Sequence, residues 1–171
     1  MRSLRLASLF LRDANLIAPR TWTALCGTND FGVITSRAFP SEGDKEPSSH
    51  DDYMSSRLTY QLYLDHLLAF LSDYVTDTLS SAPQQLDALV FSGGIGERSS
   101  RLRADVLSRF RFIEELAQTH GGLDKAANEQ GHGRREITKK GSKVPAWVVE
   151  TSEEDEMVRM AEEALQAATS R

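Results

Sequence analysis

The chain has 171 residues, 40% hydrophobic and 26% charged, with 20 Lys and Arg against 25 Asp and Glu for a formal net charge of −5. That balance is ordinary for a soluble globular protein and excludes collagen-like, coiled-coil and wholly disordered classes. The length suits one domain burying roughly 70% of its unfolded surface, and a pI near 5.4 argues against nucleic acid as a partner, where affinity comes from neutralising phosphates.

In chain order, Leu4, Leu6, Leu9, Phe10 and Leu11 are spaced for a short amphipathic helix ending before Pro19. Trp22 to Arg37 is apolar and rich in β-branched residues but broken by Gly27, Asn29, Asp30 and Gly32, which predicts short extended pieces around a turn. Residues 38–52 combine Pro, Gly, Ser and charge without periodicity and read as a loop. Tyr53 to Ser80 carries the strongest helical signal, with Leu58, Leu62, Leu64, Leu67, Leu68, Leu71, Tyr74, Val75 and Leu79 at helical spacing. A helix this apolar is expected to be buried on more than one side.

Leu86 to Ser92 reads as a continuous apolar strand, ended by Gly93-Gly94-Ile95-Gly96, after which Leu102 and Val106 resume helical spacing. Strand, glycine turn and helix form a unit of parallel α/β architecture. Residues 118–143 read as a second long polar loop, Val144 to Val149 as another strand, and Ser152 to Ala168 as a closing helix with Met157, Met160 and Ala161 inward. Ser152 and Asp155 fit its capping pattern. Two strands and two long loops are unusual for a complete domain. The chain reads as part of something larger.

Cys26 is the only cysteine, so an intrachain disulfide and a cysteine zinc site are both excluded, as suits a reducing compartment. No apolar run approaches the ~20 residues of a membrane span. Arg5 and Arg12 interrupt the opening stretch that mimics a signal peptide. The expected location is cytoplasmic, with no membrane and no nucleic-acid partner.

Chemistry concentrates in Ser92-Gly93-Gly94-Ile95-Gly96-Glu97. Glycines there let a backbone approach a ligand closely, and the following helix offers free N–H groups. The pattern is neither the dinucleotide fingerprint nor a phosphate loop nor a hydrolase elbow, and by spacing alone it is equally a tight turn with no ligand. Glu153 and Glu154 open the last helix, where a carboxylate suits Mg²⁺, although complementing the helix dipole explains them as well. Arg101, Arg103, Arg109 and Arg111 read as a solvated basic face, with Arg103 the one to reach phosphate. His50, His66, His120 and His132 lack metal-ligand spacing.

LDALVFSGGIGERSSRLRADVL resembles the acetate kinase family, whose motif runs close to DAxVFTGGIGENxxxxR. SKVPAWVVETSEEDEMVRMA resembles that family's final strand and T-N-E-E helix, WTALCGTNDFGVITS its S/T-x-D-F/C-R segment in fungal-type form, and LDKAAN its L-D-x-x-x-N stretch. The resemblance covers most of residues 20–168 in the family's order. It implies an α/β fold: a partial ribonuclease-H-like, actin-like ATPase domain, the C-terminal half of an acetate kinase, with residues 1–171 a single incomplete nucleotide-binding domain. The implied reaction is reversible phosphoryl transfer between ATP and acetate, giving acetyl phosphate and ADP, with Mg²⁺.

By the same resemblance, nucleotide would meet Gly94, Ile95, Gly96, Glu97 and Arg98 on one segment and Asp30, Phe31 and Gly32 on another, and Glu153 would serve the metal. The implied assembly is a homodimer through this part of the chain. Two positions depart from the pattern: Arg98 stands where Asn is usual, and Gly32 where many members have Arg. The family's H-L-G-N-G loop, acetate pocket, and catalytic arginine, histidine and aspartate have no counterpart here, so no catalytic residue is assigned. Transfer rests on positioning and charge stabilisation, and the chain alone is expected to be inactive. The alternatives are a non-catalytic nucleotide-binding or dimerisation module, or a kinase for propionate or butyrate.

Overall fold

The computed structural model describes residues 6–9, 19–41, 49–81, 86–109, 122–142, 144–151 and 157–161. The elements are β1 (Leu6–Leu9), α1 (Pro19–Cys26), α2 (Phe31–Ala38), α3 (His50–Ser81), β2 (Ala88–Phe91), α4 (Gly93–Arg98), α5 (Ser100–Arg109), α6 (Lys125–Glu129), β3 (Arg135–Glu136) and β4 (Ala146–Val148). One sheet runs β1-β2-β4-β3. β1 and β4 flank β2 in parallel, with Leu9 opposite Phe91 and Phe91 opposite Val148, while β3 closes the far edge antiparallel to β4. Parallel central strands need covering by helices. Phe91, Ala146 and Val148 are fully buried, in one core with Leu102 and Val106 of α5.

α3 is the organising helix and packs against α1, α2 and α5. Its apolar residues at helical spacing bury Tyr60, Tyr63, Leu64, Leu67, Leu71 and Val75. Trp22 of α1 and Phe31 of α2 meet Tyr63 with ring centroids 5.4 and 4.8 Å apart. Such tilted and edge-on pairs add to the area they bury.

The structure corrects several expectations. Trp22 to Arg37 is not extended but forms α1 and α2. The break itself is present, since Gly27 sits at φ +69° just past α1, its N–H donating to the Thr23 carbonyl at 2.9 Å. Asp30 then caps α2. Phe31, Ile34 and Ala38 recur at spacings of three and four and all are buried, so the helical period outweighs the β-branched composition. Leu6–Leu9, expected in a helix, is the strand β1; a hydrogen-bonding edge offered by β2 decides what a short apolar run becomes.

Within 118–143, expected as loop, residues 122–142 carry α6 and β3. Residues 50–52 of the other expected loop already belong to α3, and 42–48 lie outside the described residues. The expectation that α3 is buried on more than one side fits its packing against α1, α2 and α5, while Met54, Leu58, Leu62 and Phe70 are exposed and Leu68 is half-buried. Met157 and Met160 are exposed as well, contrary to the inward face expected of the last helix, whose capping residues Ser152 and Asp155 lie outside the described residues. Among the described residues no helix is long and apolar enough to cross a membrane.

Candidate functional site

The glycine segment is itself helical. Ser92 leaves β2 in an extended conformation, Gly93 takes φ +75°, and α4 runs one and a half turns before Ser99 breaks it. A side chain at Gly93 would be strained by that φ, whereas Gly94 has open space where a Cβ would stand. Glu97 folds back on the start of its own helix, its Oε1 accepting from the Gly93 N–H and from both the N–H and hydroxyl of Thr151, each at 2.8 Å. It thereby ties the end of β4 to the start of α4. Ser99 Oγ accepts from the Leu102 N–H at 3.2 Å and so starts α5.

Arg103, proposed from sequence to reach phosphate, points the other way. It is 1% exposed, with Nη1 donating to the Gly96 and Glu97 carbonyls at 2.8 and 2.7 Å and Nε donating to Asn128 Oδ1 at 2.7 Å. Asn128 in turn donates to the Ser100 carbonyl at 2.9 Å. The guanidinium therefore fastens the carbonyl end of α4 to α6. Its pKa is lowered to about 10 by burial and then by the charge of Arg135. Its partners are polar but uncharged.

Opposite α4, the Asp30 carboxylate caps α2, Oδ1 accepting from the N–H groups of Gly32 at 2.8 Å and Val33 at 3.2 Å. Between these two helix starts lies a cavity of about 730 Å³. Of the sequence-predicted residues, Asp30, Phe31 and Gly32 from α2 and Gly94, Ile95 and Arg98 from α4 line it. Gly96 is buried and Glu97 is committed to Thr151; neither is on the wall. Glu153 lies outside the described residues.

Sequence reasoning missed part of the wall. Thr35, Ser36 and Phe39 line the cavity with Gly32, at the i, i+3, i+4, i+7 spacing of one helix face. That signal becomes readable only once the segment is known to be helical. Arg101, read as part of a solvated face, also lines it. Its guanidinium carbon stands 3.9 Å above the Phe39 ring and its Nε donates to Asp105 Oδ2 at 2.8 Å. Tyr60 donates to the same oxygen at 2.8 Å. Burial, and then that hydrogen bond, push the Tyr60 phenol well above its usual range.

Among the described residues no three His, Cys, Asp or Glu side chains gather where a metal would be held.

The family model described as the acetokinase family matches residues 44–159. This chain belongs to the acetokinase family. It is 43% identical over 143 residues to a probable acetate kinase of Cryptococcus neoformans var. neoformans serotype D (strain B-3501A), a match covering 82% of this chain and 31% of that protein. A probable acetate kinase of Neurospora crassa is 38% identical over 109 residues, covering 63% of this chain and 21% of the relative. The chain thus spans less than a third of the length of these relatives.

Among solved structures, a propionate kinase from Francisella tularensis subsp. tularensis SCHU S4 matches with a TM-score of 0.55 at 22% identity, over 84% of this chain and 31% of that one. An acetate kinase from Entamoeba histolytica matches with a TM-score of 0.56 at 20% identity, over 83% and 33%. These likenesses establish the fold as part of the actin-like ATPase architecture seen in the family, in line with the sequence reading.

Proposed function

We propose that this chain supplies the C-terminal nucleotide-binding part of an acetate kinase, a phosphotransferase acting reversibly between ATP and acetate to give acetyl phosphate and ADP. One observation carries the reading: two segments more than sixty residues apart, each matching a family motif, converge on one cavity. Its volume of about 730 Å³ falls within the range of small-molecule sites. Ile95 offers apolar surface to a base, while open space at Gly94 allows close approach to a sugar. Glu97 and Arg103 act beneath the wall, fixing the course of α4 rather than touching ligand.

Mg²⁺ enters through family membership, with Glu153 the residue that would hold it and the ion supplying charge neutralisation for phosphate when bound. The chain is assigned to the cytoplasm, where its buried, unpaired Cys26 suits a reducing medium. It acts as part of a homodimer; Met54, Leu58, Leu62 and Phe70 give α3 an exposed apolar stripe of the kind that a second copy covers. That stripe also favours the second reading, a module kept for dimerisation without catalysis.

Two assays separate the readings. The chain alone should form no acetyl phosphate from ATP and acetate, as trapped by hydroxylamine, yet it should bind ADP weakly in calorimetry. Gly94→Leu should weaken that binding several-fold with the thermal midpoint unchanged. Loss of stability without loss of binding would contradict the proposed site.

A further inference from the structure

The cavity's charges are unequally committed. Asp30, the one carboxylate among the described residues lining it, is turned onto the N–H groups of Gly32 and Val33. Arg101 is neutralised by Asp105 and laid flat on Phe39. Arg98, at the last position of α4, is exposed and makes no hydrogen bond or ion pair with any described residue. Among the described residues lining the cavity, it is the cation without a counter-charge.

Across the cavity, position 32 is glycine, and the local geometry suits it. A Cβ added there would stand 3.1 Å from Asp30 Oδ1, the oxygen that caps α2, which is tighter than ordinary contact. Gly32 and Arg98 thus line one space. We propose that Arg98 is the specificity-determining residue of this cavity, selecting ligands that carry phosphate and supplying from α4 the positive charge that position 32 does not supply from α2. The proposal rests on the nucleotide reading above and assigns to Arg98 the part of affinity that depends on phosphate. A guanidinium presents a planar fork that matches phosphate oxygens and gains little from a neutral nucleoside. Arg101, held by Asp105 and Phe39, is already committed and leaves this part to Arg98.

The test is a titration of the 171-residue chain with adenosine, ADP and inorganic pyrophosphate, followed by amide chemical shifts, for wild type and for Arg98→Lys, Arg98→Asn and Arg98→Glu. Circular dichroism and thermal midpoints establish that each variant is folded, as expected for an exposed position. The wild type should bind ADP about tenfold or more tightly than adenosine, since a charge-assisted hydrogen bond is roughly twice as strong as a neutral one. ADP affinity should fall in the order Arg, Lys, Asn, Glu, while adenosine affinity stays within twofold throughout. Equal affinity for ADP and adenosine in the wild type, or an equal loss of both in Arg98→Asn, would overturn the proposal and leave the nucleotide reading standing. Arg98-dependent binding of pyrophosphate with no binding of adenosine would support phosphate selection and refute the nucleoside part of that reading. No binding of any of the three would overturn both.

Discussion

Replacing Arg103 with alanine tests how α4 is held in place. The side chain is 1% exposed and serves Asn128 Oδ1 and the carbonyls of Gly96, Glu97 and Asn128. Truncation strands these acceptors. A buried acceptor left unsatisfied costs about 1–3 kcal/mol, but the void left by a guanidinium admits water that recovers part of it. The charge itself is disfavoured where it sits, because burial lowers its pKa to about 10, so removing it also relieves a penalty. The balance is a net loss of about 3–4 kcal/mol, a large share of the 5–15 kcal/mol typical of a domain. Arg103→Lys, with a point charge and no fork, should lose about 2 kcal/mol. Urea unfolding followed by circular dichroism measures both, and the slope should be unchanged. A double-mutant cycle with Asn128→Ala should show coupling of about 1 kcal/mol or more. Arg103→Ala within 0.5 kcal/mol of wild type, or strict additivity with Asn128→Ala, would refute this account of the α4–α6 joint.

Three further outcomes follow from burial and capping. Leu71→Ala, at a core position that is 2% exposed, should cost about 2–5 kcal/mol, whereas half-buried Leu68→Ala should cost about 1 kcal/mol; equal costs in urea unfolding would contradict the orientation of α3. Burial holds the Tyr60 and Tyr63 phenols above their ordinary value of about 10. The folded state therefore keeps protons that the unfolded state releases, and stability should be full below pH 10 and fall above it. Tyr63→Phe removes a buried hydroxyl with no partner among the described residues, so it should be neutral or stabilising at pH 7 and should flatten the alkaline loss in thermal melts. Asp30→Ala should cost about 1 kcal/mol through the lost cap, and a thermal midpoint unchanged by it would deny Asp30 that role.

How much was legible depended on whether local pattern or distant pairing decided each element. α3 could be read because its leucines repeat at helical spacing within one continuous stretch, and β2 and β4 because buried parallel strands are continuous apolar runs. β1 could not, since Leu6–Leu9 is a strand only by virtue of β2, some eighty residues on. α2 differs from the expectation because Val33, Ile34 and Thr35 favour strands by composition, while the segment is packed through Phe31 against Tyr60 and Tyr63 of α3. For that reason Thr35, Ser36 and Phe39 of the missed helix fell on the cavity wall unremarked, and Arg101, expected on a solvated face, is drawn onto Phe39. The motif residues were found by resemblance, but motif order does not distinguish a side chain on the wall, such as Arg98, from one beneath it, such as Glu97. Only the fold of α4 makes that division.

We propose that α2 and α4 form the two walls of one nucleotide site. Its most direct test is a titration of the isotopically labelled chain with ADP to millimolar concentration, with and without Mg²⁺, mapping which amides move. Saturable shifts are expected at Asp30, Phe31 and Gly32 together with Gly94, Ile95 and Arg98. Shifts confined to one segment, or none at millimolar ADP, would contradict it.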